Sequence, residues 1–195
     1  MPGMAIYERK TRRWSRKEYD RLIELGVFRP DDPIELIGGE LMVAEPQGAP
    51  HYTSIQRTAR VLERAFGPGW NVRTQGPFGL DDESEPEPDV AVVAGTLEDY
   101  EQDHPTRAVL LVEVSESSLA FDRVHKGSVY ARGGVQDYWI VNLVDRVLEI
   151  YREPAPDPDA PFGARYTSRE LLDLSRQINP LAAPHSSVDV RDLFA

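Results

Sequence analysis

The sequence contains no cysteine. That absence excludes disulfides, thiolate-bound zinc, iron–sulfur clusters and cysteine nucleophiles, so any metal must be held by carboxylates, carbonyls, water or histidine. Oxygen ligands of that kind favour magnesium or manganese. Long apolar runs are also missing: none approaches the length that spans a bilayer, and the opening residues lack an apolar signal core. These two features predict a soluble, cytoplasmic protein without a membrane partner. No phosphate-binding glycine loop, dinucleotide fingerprint, Gly-x-Ser-x-Gly elbow or internal repeat occurs. Positive charge is scarce, with 22 Lys and Arg against 33 Asp and Glu, a formal charge of −11. Nonspecific nucleic-acid affinity comes from cations that neutralise phosphates, which argues against a protein that coats DNA indiscriminately.

At 195 residues the chain is long enough to bury a sizeable core, and its length predicts a single domain over 1–195 that begins with a polar lead, 1–14. Ser15 and Glu18 form a capping-box pattern ahead of Tyr19, Leu22, Ile23 and Leu25 at helical spacing, with Gly26 as the stop. Residues 33–44 read as two strands about a Gly38-Gly39 turn, and Glu40 stands just past it. A helix is predicted over 51–66, where Ile55, Ala59, Leu62 and Phe66 form one stripe that also carries His51. Strands are expected at 70–74, from Asp89 onward and at 110–115, then a helix over about 119–132 ended by Gly133-Gly134. Two more strands, 137–142 and 146–152, follow. The segment 153–161 holds four prolines and is predicted to be a linker or extended loop. Short strands and a terminal turn should close the sheet edge after it. This order predicts a mixed α/β (α+β) fold.

The chemistry lies in 88–126. Val- and Leu-rich strands are interrupted by Asp89 and Glu113, and an ionised carboxylate is costly to bury unless something positive neutralises it. If the two strands are neighbours, both acids can converge on one cation. Phosphate ester hydrolysis needs such a cation and an ammonium near the nucleophile. Pro88-Asp89 followed by Glu113-Val114-Ser115 resembles the Pro-Asp … Glu-x-Lys signature of restriction-endonuclease-like nucleases, with Ser115 at the position of the lysine; the resemblance implies an ammonium from elsewhere, and Lys126 on the following helix can reach back. The plainer readings are an exposed Asp122–Lys126 helix pair, a solvated loop acid at Glu40 and a hydrogen-bonded core histidine at His51. The basic segment with Arg9, Lys10, Arg12, Arg13, Arg16 and Lys17 offers phosphate contacts, against the plainer reading of a charged helix end.

Taken together, 34–40 with its Gly38-Gly39-Glu40 end, His51, Pro88-Asp89-Val90, Val112 to Ser115, Asp122 with Lys126 and Tyr130, and Gly134 to Trp139 resemble the Uma-two family of bacterial proteins. The resemblance runs from about Ser15 to Phe194. It implies a restriction-endonuclease-like fold, in which a central mixed sheet is flanked by helices and preceded by a helix and hairpin, and an active-site lysine that has migrated. It further implies a metal-dependent nuclease with Asp89, Glu113, Lys126 and Glu40 as catalytic groups. Asp89, Glu113, the carbonyl of Val114 and Glu40 would hold Mg2+ or Mn2+, and His51, Asp122 and Tyr130 would be auxiliary. Two departures stand out: Gly39 in place of a frequent acidic residue, and Ser115-Glu116-Ser117 where a proline is common. The expected partner is nucleic acid, DNA above RNA, with a homodimer left open. The rival expectations are a noncatalytic, metal-stabilised protein-interaction module of the same fold, and an RNA or nucleotide phosphodiesterase.

Overall fold

A computed structural model of the chain describes residues 11–29, 32–44 and 46–195. It begins with helix α1 (Arg16–Glu24), whose capping box is formed as the sequence predicts: Ser15 and Glu18 each bond the other's backbone N–H. Strands β1 (Ile34–Ile37) and β2 (Glu40–Val43) form the expected antiparallel hairpin. Its turn needs positive φ at both centres, and Gly38 (56°) and Gly39 (81°) supply it. A Cβ at Gly38 would also run into the ring of Phe162. The hairpin is not part of the main sheet. Backbone hydrogen bonds between Leu36 and Glu85, and one from Tyr19 Oη to the Ile34 carbonyl, fasten it to the body.

Helix α2 (Ala49–Phe66) is followed by β3 (Trp70–Thr74), β4 (Val90–Ala94), β5 (Leu110–Ser115), β6 (Asp137–Asn142), β7 (Val147–Pro156) and β8 (Ala164–Leu172). These six strands lie in sequence order in one sheet, antiparallel except for the β5–β6 pair. A parallel pair requires a crossover, and the helical segment between β5 and β6 provides it. The period-2 alternation then sorts the two faces. Val90, Val92, Val112, Val114, Trp139 and Val141 pack under α2 through Ile55, Leu62 and Phe66. Ala91, Leu111, Tyr138 and Ile140 face the crossover helix through Val129 and Tyr130. Strands β9 (Gln177–Ile178) and β10 (Val188–Asp189) make a small separate sheet, and the final turn packs Val190, Leu193 and Phe194 into the α2 side.

Two predicted elements differ. The crossover is not one regular α-helix: α3 (Leu119–Phe121) runs into a π-helical stretch, Asp122–Lys126, before α4 (Gly127–Arg132). The proline-rich segment is not a linker either, because β7 continues through Pro156 and pairs Pro154 with Tyr166 and Pro156 with Ala164. The reason is the length of β6, whose pairing with β7 ends at Arg152. Beyond that point β7 has a neighbour on one side only. Prolines spaced by two turn their donor-less nitrogens to the same, unpaired side, where no ladder bond is lost. Among the described residues no helix is long and apolar enough to cross a membrane.

Candidate active site

Asp89 enters β4 and Glu113 lies inside β5, on the sheet face that looks toward the crossover helix. Because Ala91 pairs with Leu111, the two acids are brought opposite each other at the strand ends. The backbone N–H of Asp89 donates to Glu113 Oε2 at 3.4 Å, and Val114 N–H donates to Asp89 Oδ2 at 2.8 Å. Glu113 is only 3% exposed. Its other oxygen accepts the Tyr130 hydroxyl at 2.6 Å and lies 3.1 Å from the Lys126 ammonium. Lys126 therefore does arrive from the helix, and it is 7% exposed rather than a surface residue. Its second carboxylate partner is Glu35 at 3.3 Å, not Asp122.

The π-helical stretch fixes this aim. Asp122 anchors its start by accepting the Ser115 and Ser118 hydroxyls at 2.5 and 2.6 Å, and its carbonyl accepts the Tyr138 hydroxyl. Arg123, the next residue, forks onto Glu149 of β7, which also accepts Arg169, Asn142 and Tyr151. The wider turn that follows these two anchors ends at Lys126 and carries it toward the acids, and π-turns of this kind recur at functional sites.

His51, in the first turns of α2, brings Nε2 to 3.3 Å from Asp89 Oδ2. The approach lacks hydrogen-bond geometry, so this buried nitrogen has no hydrogen-bond partner. Glu35, His51, Glu87, Asp89, Glu113 and Lys126 open onto one cleft of about 770 Å³, while Tyr130 stays buried behind Glu113. Val114 and Asp122 line it as well.

The electrostatics follow from burying four carboxylates, Glu35, Asp89, Glu113 and Asp122, around one ammonium. Burial raises Glu113 well above the ordinary carboxylate range, with Lys126 opposing and Asp89 adding to the rise. Burial raises Asp122 too, against Lys126 and the two serine hydroxyls. For Lys126, burial works to lower the pKa, but Glu113, Glu35, Asp122 and Asp89 together outweigh it and hold the ammonium charged. Tyr130 is raised, first by burial and then by Glu113, so it stays protonated and serves as a donor. The site carries an excess of negative charge that a further cation would relieve.

The sequence reading brought together Asp89, Glu113, Val114, Lys126, His51, Asp122 and Tyr130, and missed one acid. Glu40 is exposed at the start of β2 and does not line the cleft, whereas Glu35, five residues earlier in β1, is buried within it. Its Oε2 accepts the Glu87 N–H at 3.0 Å. The signal was present: Glu35 interrupts Ile34, Leu36 and Ile37 as Asp89 and Glu113 interrupt their strands. In the basic segment, Arg9 and Lys10 lie outside the described residues. Arg12 bonds Glu18 and covers Trp14, Arg13 donates to the Gly38 carbonyl, and Arg16 lies 4.0 Å from Glu85. Lys17 is exposed on α1, and none of these four lines the cleft.

A family model described as "Putative restriction endonuclease" matches residues 16–190. The chain also resembles the crystal structure of a putative nuclease belonging to DUF820 from Anabaena variabilis, with a TM-score of 0.62 and 17% identity over 89% of this chain and 96% of that one. At that identity the likeness establishes the fold. No curated protein matches the chain.

Proposed function

The chain belongs to the Uma2 family of putative restriction endonucleases, and from that premise we propose that it hydrolyses phosphodiester bonds in DNA with the help of a divalent cation. The observation that carries the reading is the convergence of Asp89, Glu113 and the Lys126 ammonium in one cleft. The donor chemistry fits a hard cation. Among the described residues no three His, Asp or Glu side chains are gathered as a complete metal cluster. Magnesium, however, keeps several waters and is commonly held by one or two carboxylates plus substrate phosphates. Asp89, Glu113 and the Val114 carbonyl are the groups that would hold it, and when bound it would supply charge neutralisation at the phosphoryl oxygens and a more acidic water.

The protein's own groups supply the remainder. Lys126, kept charged by its carboxylate neighbours, stabilises negative charge on the attacking oxygen and the phosphoryl group. Glu35 holds that ammonium from the hairpin side. Tyr130 fixes one oxygen of Glu113 by donating to it, leaving the carboxylate's orientation set before substrate arrives. The unpartnered Nε2 of His51, beside Asp89, is placed to orient a water or a phosphate oxygen. Glu40 enters only as an exposed hairpin acid, and the exposed Arg12, Arg13 and Lys17 of the basic segment are the groups for contact with a DNA backbone outside the cleft.

The test is manganese-dependent cleavage of DNA by the wild type together with Asp89→Asn. Manganese should raise the melting temperature of the wild type, and the variant should lose both the cleavage and most of that rise. A variant that keeps the full metal-induced rise would place the ion elsewhere.

A further inference from the structure

The walls of the cleft define the kind of nucleic acid it can take. Resting on the phosphodiesterase reading above, we infer that the cleft receives an unpaired nucleotide of a DNA strand rather than a segment of duplex. The first observation is its charge. Five carboxylates line it (Glu35, Glu87, Asp89, Glu113 and Asp122), and among the described lining residues Lys126 is the single Lys or Arg. That ammonium is already engaged by Glu35 and Glu113. Proteins position a duplex chiefly through cationic and amide contacts to the phosphates of both strands. Beyond the engaged Lys126, the described lining residues supply no cation for such contacts, so one phosphate at a time, drawn in by a divalent cation, is what its charge allows.

The second observation is the apolar mouth. Ile34, Met42, Val43 and Pro46 from the hairpin side and Phe121 from the crossover side line the opening around the acids, and Val43 is 71% exposed. The Phe121 ring is itself held flat by stacking on His125, centroids 5.0 Å apart with planes 13° from parallel. A braced aromatic ring beside apolar side chains is what a base with both faces uncovered packs against, and a base inside a duplex already has its faces covered by its neighbours. The third observation is size. A volume of about 770 Å³ lies within the range of pockets that enclose a small organic ligand, enough for a nucleotide or two and far short of a double helix. Charge, apolar lining and volume thus select the same substrate class independently.

The experiment separates recognition from hydrolysis by using Ca2+ in place of Mn2+ and reading fluorescence anisotropy. The probes are an end-labelled single-stranded oligodeoxynucleotide and the same strand annealed to its complement. The single strand should bind roughly tenfold or more tightly than the duplex, and chelation of Ca2+ should abolish that binding. Phe121→Ala should weaken the single strand by roughly tenfold and leave the duplex unchanged. Phe121→Leu, which keeps apolar bulk without the aromatic face, guards against a folding defect: with an unaltered melting temperature it should still show most of the loss. Equal or tighter duplex binding, an unaffected Phe121→Leu, or no binding of either probe would overturn the inference. Failure here alongside retained manganese-dependent cleavage of duplex DNA would overturn the substrate class and leave the nuclease reading standing.

Discussion

Replacing Lys126 by Gln removes the cation from a pocket of four buried carboxylates, and the expected loss can be worked from the distances. At 3.1 Å from Glu113 and 3.3 Å from Glu35, each pair attracts by about 5 kcal/mol at an effective dielectric of about 20. Desolvation of the three charges offsets much of that gross gain. What the variant reveals is the cost of leaving two buried carboxylates without their partner, about 3–5 kcal/mol. For a chain of this length each kcal/mol shifts the melting temperature by about 2–4 °C, so a fall of about 10 °C is expected near neutral pH. An exposed helix pair with Asp122 would have cost only about 0.3–0.5 kcal/mol. The pH dependence has a definite sign. Glu113 is raised above its ordinary value of 4.5, with burial as the main cause and Lys126 opposing. The folded protein therefore binds this proton more tightly than the unfolded chain, and stability falls as pH rises above 4.5. Without Lys126 that fall steepens, so the deficit of the variant should shrink as the pH is lowered toward 4.5, and manganese should recover part of it near neutrality. Thermal denaturation at about pH 8 and about pH 5, with and without manganese, reads all of this. A loss under about 1 kcal/mol, or the same loss at both pH values, would refute the counter-charge role. Cleavage should drop by roughly 100-fold or more even where manganese restores the melting temperature, and Lys126→Arg should rescue it only in part.

The two hairpin acids can be told apart by initial cleavage rates. Glu35→Gln should lower the rate by roughly tenfold or more, while Glu40→Gln should leave it within about twofold, and the reverse order would return the role to the exposed acid. Glu149, fully buried, is opposed by burial but held down by Arg123, Tyr151, Asn142 and Arg169 to about 2 from 4.5. Such a depression contributes about 3 kcal/mol of stability, fully present above pH 4.5 and lost as pH falls through about 2. Urea titrations should show Glu149→Gln destabilised by about that amount near pH 7 and by roughly half near pH 3; an equal loss at both would mean the carboxylate charge is not what Arg123 requires.

Much of this site was legible because burial leaves a trace in sequence. Asp89 and Glu113 stand inside Val-rich strands, and an acid in that setting has few structural uses, so its partner could be sought and Lys126 was the available cation. The same rule would have selected Glu35 over Glu40. It was obscured because the hairpin is only four residues a side, too short for alternation alone to say which acid points inward, and because docking of the Leu36–Glu85 bridge buries a hairpin that would otherwise be wet. The π-helical stretch had no trace at all: Asp122, Lys126 and Tyr130 keep ordinary helical spacing, and the widened turn is set by the Ser115, Ser118 and Glu149 contacts that tertiary structure supplies. Prolines 154 and 156 misled for the opposite reason. They are strong breakers of a doubly paired strand, and nothing local says that β6 starts only at Asp137, opposite Arg152, and leaves one side of β7 open beyond it.

The arrival of the ammonium from a helix frees it from the arithmetic of strands. A lysine on the same strand as Glu113 must sit an even number of residues away to share its face, and shifting it by one would throw it to the other side of the sheet. Lys126 is under no such parity rule. A helix can slide, lengthen or widen a turn and still deliver the Nζ atom, so the count of residues separating acid from base becomes a neutral quantity on which substitution and insertion can drift. A site built this way needs no compact signature, only a meeting point in space about one hydrogen bond across.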